Sequence, residues 1–140
     1  MKKNRGRRRI LLADDCLEVI EEALCLLDKD FEVVGFARNG EQAIELTLAL
    51  NPDLLVLDIS MPVLNGLEVG ALIRGLSRGP EVIFLTVHED PDFIHAALSI
   101  GALGYVVKNR MATDLVATIK AALRGRASTP VLRDSVPVVV

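Results

Sequence analysis

Residues 54–58 read Leu-Leu-Val-Leu-Asp, a continuous apolar run that ends in an aspartate. A strand with one face in solvent alternates apolar and polar residues, whereas a strand buried on both faces is apolar throughout. Four further apolar runs lie at 10–13, 31–36, 82–85 and 103–107. Five short, mostly continuous runs predict a parallel sheet that is covered on both faces.

Between the runs, apolar residues recur three and four positions apart, which predicts amphipathic helices. The predicted apolar faces carry Leu17, Ile20, Leu24 and Leu27; Ala43, Leu46 and Leu50; Val69, Leu72, Ile73 and Leu76; Phe93, Ala97 and Ile100; and Leu115, Ile119 and Leu123. Asp90 and Pro91 are residue types that begin a helix. Strand and helix alternate five times, which predicts an α/β fold with a doubly wound parallel sheet and helices on both faces.

The composition indicates one folded domain. The chain has 140 residues, of which 51% are hydrophobic and 25% are charged, which excludes a disordered chain. It has no apolar run of the roughly 18 residues that a membrane span needs, and no signal peptide, so we expect a cytoplasmic protein without membrane association. Cys16 and Cys25 are too few for a disulfide scaffold. We expect both to be small core or boundary residues rather than redox sensors.

The net charge of -3 conceals a basic N-terminus. Residues 1–9 hold six of the sixteen Lys and Arg residues and no acid, so ten basic residues stand against nineteen acidic ones in the rest of the chain. We expect a basic flexible tail at 1–8, the folded domain at 9–125, and a linker or C-terminal tail at 126–140. For the basic segment, a solubilising terminus is favoured over a contact with nucleic-acid or membrane phosphates.

Ligands of open α/β sheets bind at the carboxyl ends of the strands. Four of the five predicted strands end in reactive polar side chains, namely Asp14 and Asp15, Asp58, Thr86, and Lys108. The second predicted strand ends near Arg38 and Asn39, and we expect no comparable side chain from it.

Three carboxylates at one edge repel each other by roughly 4 kcal/mol per pair at about 4 Å and an effective dielectric near 20. A divalent cation offsets that repulsion, and Mg²⁺ takes one or two carboxylates and fills its shell with water and phosphate oxygens. A phosphoryl group would then lie between the metal and Lys108. Asp58, on the central strand, is the candidate nucleophile, which leaves Asp14 and Asp15 to hold the metal.

The order and spacing of these residues resemble the receiver domain of bacterial two-component response regulators over about residues 9–125. The resemblance rests on Asp14-Asp15, on 55–62 (Leu-Val-Leu-Asp-Ile-Ser-Met-Pro) with Asn65-Gly66, on Thr86, and on 101–108 (Gly-Ala-Leu-Gly-Tyr-Val-Val-Lys). It implies a flavodoxin-like (βα)5 sandwich whose five-stranded parallel sheet has the order 2-1-3-4-5. It also implies a signalling phosphoacceptor rather than an enzyme, with self-phosphorylation and self-dephosphorylation as its only chemistry.

The same resemblance implies a role for each site residue. Asp58 would accept a phosphoryl group from the histidine of a sensor histidine kinase or a histidine phosphotransfer protein. Asp15 would ligate Mg²⁺ (or Mn²⁺) directly, Asp14 largely through water, and Ser60 through its backbone carbonyl, with Asp58 completing the set. Lys108 would pair with the phosphoryl group.

Thr86 and Tyr105 would form the switch. The resemblance implies that Thr86 moves to bond the phosphoryl group and that Tyr105 swings inward, which changes the helix 4–strand 5–helix 5 surface and allows a phosphorylation-dependent homodimer. Considered alone, a tyrosine at position 105 is more often a core aromatic residue with its hydroxyl at the surface, so the switch role rests on the resemblance.

Three positions beside the site vary from the family pattern or tune it. Val87 stands where receivers generally keep a small residue, and its bulk would restrict small phosphodonors or the hydrolytic water. His88 lies at a position that tunes dephosphorylation in similar receivers, but a surface histidine is the favoured interpretation. Asn109 replaces a proline that often follows the lysine, so the isomer of the Lys108–Asn109 peptide is open.

Two other functions do not fit these residues. A haloacid-dehalogenase-type phosphatase needs an acid two residues after its nucleophile, where this chain has Ser60, and a flavin carrier needs a phosphate loop where this chain has Asp14 and Asp15. A degenerate receiver that binds partners without phosphorylation is the remaining alternative. Residues 125–130 resemble the linker to a helix-turn-helix domain, so we expect DNA binding only through an output domain absent from this chain.

Overall fold

The computed structural model describes residues 6–125, and the predicted C-terminal tail at 126–140, with residues 1–5 of the predicted basic tail, lies outside the described residues. Within residues 6–125, no helix is long and apolar enough to cross a bilayer. The elements are β1 (Arg9–Ala13), α1 (Leu17–Leu27), β2 (Glu32–Ala37), α2 (Gly40–Leu50), β3 (Leu54–Leu57), α3 (Gly66–Arg74), β4 (Glu81–Thr86), α4 (Pro91–Ser99), β5 (Gly104–Val107), a 3-10 turn (Lys108–Arg110) and α5 (Met111–Arg124).

The five strands form one parallel sheet in the order β2-β1-β3-β4-β5, which confirms the predicted flavodoxin-like fold. The chain passes from β1 to β2 on one side of β1 and then crosses from β2 to β3 on its other side, so the direction of winding reverses beside β1. Loops diverge at that point and leave a crevice at the carboxyl ends of β1 and β3. Asp14 and Asp58 therefore follow adjacent strands.

Two hydrophobic cores cover the sheet, one on each face. Ile10, Leu12, Leu54 and Val56 face the core under α1 and α5, whereas Leu11, Ala13, Leu55 and Leu57 face the core under α2, α3 and α4. Successive side chains of a strand point to opposite faces. Both faces are buried, and this is why the strands read as continuous apolar runs.

Two residues predicted for the buried face of α3 are exposed. Leu72 is 56% exposed, and Leu76 lies beyond the end of the helix and is 39% exposed. The buried stripe instead contains Val69, Gly70 and Ile73. A Cβ atom at Gly70 would lie 2.8 Å from a methyl carbon of Ile100, so α3 packs closely through a glycine. A count of apolar residues does not identify a stripe made partly of glycine.

On α1 the buried residues are Ile20, Ala23 and Leu27. Leu17, the first residue of the helix, does not belong to that buried stripe and is 44% exposed, contrary to prediction. Cys16 is half-buried, but Cys25 is exposed, so its assignment to the core or its boundary is wrong. Asp90 caps α4 and Pro91 occupies its first turn, as predicted.

Two arginines bind helix carbonyls at the amino edge of the sheet, opposite the carboxyl ends of the strands. The Nη1 atom of Arg9 donates to the carbonyl oxygens of Leu50 and Asn51, both at 2.8 Å, at the carboxyl end of α2. Arg7, in the segment predicted as a tail, donates to the carbonyl of Asp28 at 3.1 Å, just after α1. Cations are favourable where unpaired helix carbonyls concentrate negative charge.

Candidate functional site at the carboxyl edge of the sheet

Three carboxylates meet where β1 and β3 end. Asp14, Asp15 and Asp58 each offer an oxygen, and these oxygens lie within 4.8 Å of one another. Asp14 and Asp58 are buried, whereas Asp15 is exposed and opens the cluster to solvent. The sequence predicted this convergence from the strand ends.

Lys108 completes the cluster from the end of β5. Its Nζ atom lies 2.8 Å from Oδ2 of Asp14 and 3.2 Å from Oδ2 of Asp58. Burial alone would lower the pKa of the Lys108 ammonium, but its contacts with the two carboxylates outweigh burial and raise that pKa. Burial raises the pKa of Asp14, more than its contacts with Lys108 and with the Cys16 N–H lower it. The lysine therefore stays charged between two acids.

These residues suit a hard divalent cation. Oδ2 of Asp14 is buried and, apart from the Lys108 ion pair, has no hydrogen-bond partner among residues 6–125. Carboxylate oxygens are the ligands that Mg²⁺ prefers, and its remaining positions are filled by water and phosphate. A cation held by Asp14, Asp15 and Asp58 would relieve their mutual repulsion, so the donor set fits Mg²⁺ or Mn²⁺.

The loop after β3 is held close to Asp58 by backbone contacts. Oδ1 of Asp58 accepts a hydrogen bond from the Ile59 N–H at 2.7 Å, and the Gly66 N–H donates to the Ile59 carbonyl at 2.7 Å. A Cβ atom at Gly66 would lie 1.9 Å from the Asp58 carbonyl oxygen, so only glycine fits there. The Leu64 N–H donates to the Pro62 carbonyl at 2.9 Å across Val63, which has a positive φ of 74°. This tight γ-turn is costly for a β-branched residue.

Thr86 and Tyr105 are both fully enclosed. The Thr86 hydroxyl oxygen accepts from the His88 N–H at a long 3.5 Å, and the Tyr105 hydroxyl donates to the His88 carbonyl at 2.8 Å. Burial, with the negative charges of Asp58 and Asp90, raises the pKa of Tyr105. Tyr105 thus points inward in this structure and is held by the β4–α4 loop.

His88 joins this loop to the one after β3. Its Nε2 atom lies 2.6 Å from the Ser60 hydroxyl oxygen, and its ring stacks on Phe93 of α4 with centroids 4.2 Å apart. These residues line one side of an open groove that continues to Asp15. Val87, beside His88, is 60% exposed. His88 therefore has specific contacts that distinguish it from a free surface histidine.

Arg38 is the site residue that sequence reasoning missed. Its Nη2 atom donates to the main-chain carbonyl of Asp15 at 3.2 Å, so the second strand does bring a charged group to this edge. The expectation that this strand supplies nothing comparable is wrong, because a long side chain reaches across to the neighbouring strand end. Asn109 is exposed, and residues 6–125 contain no cis peptide, so the Lys108–Asn109 bond is trans.

Comparison with known proteins agrees with this geometry. The model of the response regulator receiver domain family matches residues 10–120. The nitrate/nitrite response regulator protein NarL of Escherichia coli is 37% identical over 139 residues, covering 94% of this chain and 64% of NarL. The transcriptional regulatory protein DegU of Brevibacillus brevis is 32% identical over 126 residues, covering 89% of this chain and 53% of DegU. The chain thus spans between half and two thirds of these relatives.

Solved structures give the same result. The signal receiver domain of the response regulator NarL from Mycobacterium tuberculosis superposes with a TM-score of 0.80 at 30% identity, covering 86% of this chain and 98% of that one. A LuxR-family two-component response regulator from an Aurantimonas species superposes with a TM-score of 0.80 at 31% identity, covering 86% and 87%. The family model, the relatives and the solved structures agree, and the chain belongs to the receiver-domain family of two-component response regulators.

Proposed function

We propose that this receiver is a phosphorylation switch in which Asp58 accepts a phosphoryl group from the histidine of a sensor kinase or histidine phosphotransfer protein. The observation that carries the proposal is the contact of Lys108 with Asp14 and Asp58 beside the exposed Asp15. A buried carboxylate with a fixed cation and two further acids beside it is suited to phosphoryl transfer, because such transfer depends on positioning and charge stabilisation.

The step forms a bond between a carboxylate oxygen of Asp58 and phosphorus, and it breaks the phosphorus–nitrogen bond of the donor phosphoimidazole. The leaving imidazole keeps the bonding electron pair and takes a proton from solvent. Lys108, 3.2 Å from Oδ2 of Asp58, is placed to pair with the phosphoryl oxygens. When bound, Mg²⁺ or Mn²⁺ neutralises charge on the transferred group. Hydrolysis of the resulting acyl phosphate by water restores Asp58.

The switch begins at Thr86. Within residues 6–125 its hydroxyl has one hydrogen bond, accepted from the His88 N–H at 3.5 Å, which is long, so the hydroxyl can turn to a phosphoryl oxygen at little cost. Movement of the β4–α4 loop would change the acceptor of the Tyr105 hydroxyl, the His88 carbonyl. The surface of α4, β5 and α5 would change with it, and with that surface the affinity for a partner, an output domain or a second copy of the chain.

Val87 and His88 are proposed to tune the lifetime of the phosphorylated state. The bond between His88 Nε2 and the Ser60 hydroxyl joins the two loops beside Asp58. Loss of that bond in His88→Ala would free the loops and change the rate of dephosphorylation. Val87→Ala tests whether the exposed valine limits small phosphodonors.

The relatives include transcriptional regulators longer than this chain. We therefore place the receiver in the cytoplasm, where it would control a DNA-binding output domain, carried on a longer chain or on a partner. DNA contact by residues 6–125 themselves is no part of the proposal.

Incubation with acetyl phosphate and Mg²⁺, followed by intact-mass analysis, should show one added phosphoryl group. Asp58→Asn should abolish the addition, and Asp28→Asn, which changes an exposed aspartate at the opposite edge, should retain it. If neither acetyl phosphate, phosphoramidate nor a phosphohistidine protein phosphorylates the wild type, the chain is a degenerate receiver that only binds partners.

A further inference from the structure

Arg38 is held beside the acidic cluster from two directions. Its backbone N–H donates to Oε1 of Gln42 at 2.7 Å, and the next residue, Asn39, caps α2 by accepting from the Gln42 N–H at 2.8 Å. Its guanidinium donates through Nη2 to the main-chain carbonyl of Asp15 at 3.2 Å. The first turn of α2 therefore fixes its main chain, and the bond to the Asp15 carbonyl ties its side chain to the β1–α1 loop.

Most of the guanidinium remains available to a ligand. Arginine has five N–H groups in a planar fork, and the Asp15 carbonyl takes one of them. Within the part of the chain that the structure describes, no carboxylate pairs with Arg38, which is an exposed residue. Its partner is a neutral carbonyl, so its positive charge is not cancelled locally.

That charge determines the sign of the site once a cation is bound. Asp14, Asp15 and Asp58 with Lys108 leave two net negative charges, which a divalent cation cancels. With Arg38 added, these five side chains and the cation together carry one net positive charge. Before the cation binds, the same charge opposes its binding. One residue thus has opposite effects on the metal and on an anionic ligand.

We propose that Arg38 recognises the phosphoryl group of the incoming donor and favours donors that present it as a dianion. The inference rests on the proposed function, since it concerns the ligand of the same site. A guanidinium fork matches two phosphoryl oxygens at once, which an ammonium does not. Arg38 draws the donor to the metal-loaded edge, whereas Lys108, inside the cluster, pairs with the group as it transfers.

The test compares Arg38→Gln with Arg38→Lys and with Arg78→Gln. Arg78 is an exposed arginine in the α3–β4 loop, at the opposite edge of the sheet, so its substitution changes the net charge equally. Initial phosphorylation rates are measured at saturating Mg²⁺ with acetyl phosphate, a dianion at neutral pH, and with phosphoramidate, mainly a monoanion. Binding of Mg²⁺ alone is measured by titration calorimetry.

Arg38→Gln should lower the rate with acetyl phosphate by about threefold to tenfold and the rate with phosphoramidate by less than about twofold. It should tighten Mg²⁺ binding by about twofold to fivefold. Arg38→Lys keeps the charge, so it should bind Mg²⁺ as the wild type does, but it should lose part of the acetyl phosphate rate. Arg78→Gln should match the wild type.

Equal losses with both donors, or weaker Mg²⁺ binding, would show that Arg38 only tethers the Asp15 main chain, and would overturn the inference. Unchanged rates in Arg38→Gln would overturn it as well, while a phosphorylated wild type would keep the proposed function intact. A wild type that neither donor nor a phosphohistidine protein phosphorylates would overturn both.

Discussion

Asp14→Asn should stabilise the metal-free receiver, because the ionised Asp14 carboxylate opposes folding. The oxygens of Asp14, Asp15 and Asp58 lie within 4.8 Å of one another, so each pair repels by roughly 3.5 kcal/mol or more at an effective dielectric of about 20. Asp14 belongs to two of these pairs, and the attraction to Lys108 at 2.8 Å offsets roughly 6 kcal/mol of their combined repulsion. About 1 kcal/mol of net repulsion is left, to which burial of the carboxylate adds.

The free energy of unfolding of Asp14→Asn, measured by urea denaturation in EDTA at neutral pH, should exceed that of the wild type by about 1 kcal/mol, with a Tm about 3 to 5 °C higher. Mg²⁺ should reverse the order. At ten times its dissociation constant, a ligand stabilises the folded state by about 1.4 kcal/mol, which the wild type gains and Asp14→Asn loses. Asp28→Asn, away from the cluster, should respond to Mg²⁺ as the wild type does.

The pH dependence of that difference has a defined sign. Burial raises the pKa of folded Asp14 above the ordinary value of an aspartate, so the folded state binds a proton that the unfolded state releases. The stabilisation from protonating Asp14 is therefore complete below the pKa of the unfolded state and is lost as the pH rises through the higher pKa of the folded state. The advantage of Asp14→Asn should shrink as the pH falls. A variant less stable than the wild type in EDTA at neutral pH would refute the reasoning.

Three further substitutions test local contributions to stability by urea denaturation. Arg9→Gln removes two charge-assisted bonds to the end of α2 and should lower the free energy of unfolding by about 1.5 to 2 kcal/mol, whereas Arg8→Gln, at an exposed neighbour, should change it by less than about 0.5 kcal/mol; equal effects would contradict the capping role. Thr47→Val removes a buried hydroxyl that has no hydrogen-bond partner in the described part of the chain. It should raise the free energy of unfolding by about 1 kcal/mol, so a decrease would mean that the hydroxyl is bonded. The free energy of unfolding of Val63→Gly should exceed that of Val63→Ala by about 1 kcal/mol, because alanine keeps a Cβ atom at the positive φ. Equal free energies in the two variants would argue against strain at this position.

The sheet and the acidic cluster could be predicted because both follow from strand periodicity. Continuous apolar runs identify strands buried on two faces, and parallel strands bring their carboxyl ends to one edge, so Asp14, Asp58 and Lys108 had to converge. Which residues of a helix face the core depends on distances between elements. Gly70 lies inward on α3 because Ile100 approaches it, and no pattern within the helix contains that information.

The position of Arg38 was beyond sequence reasoning for a different reason. Strand ends place backbone and short side chains reliably, but a guanidinium several bonds from its Cα can bind any of several neighbours. The bond to the Asp15 carbonyl depends on where the β1–α1 loop lies. The same holds for the His88 ring, which the Ser60 hydroxyl and Phe93 fix in place.

The strand order itself explains why β4 ends in a small residue. Lys108 follows β5 and contacts Asp58 after β3, although β4 lies between them in the sheet. Neighbouring strands are about 4.8 Å apart, so the lysine must extend over the end of β4. Thr86 ends that strand, fully buried, with a side chain short enough to leave this path open. A larger residue there would separate the ammonium from the carboxylate even if it carried a hydroxyl, so position 86 is constrained by size as well as by hydrogen bonding.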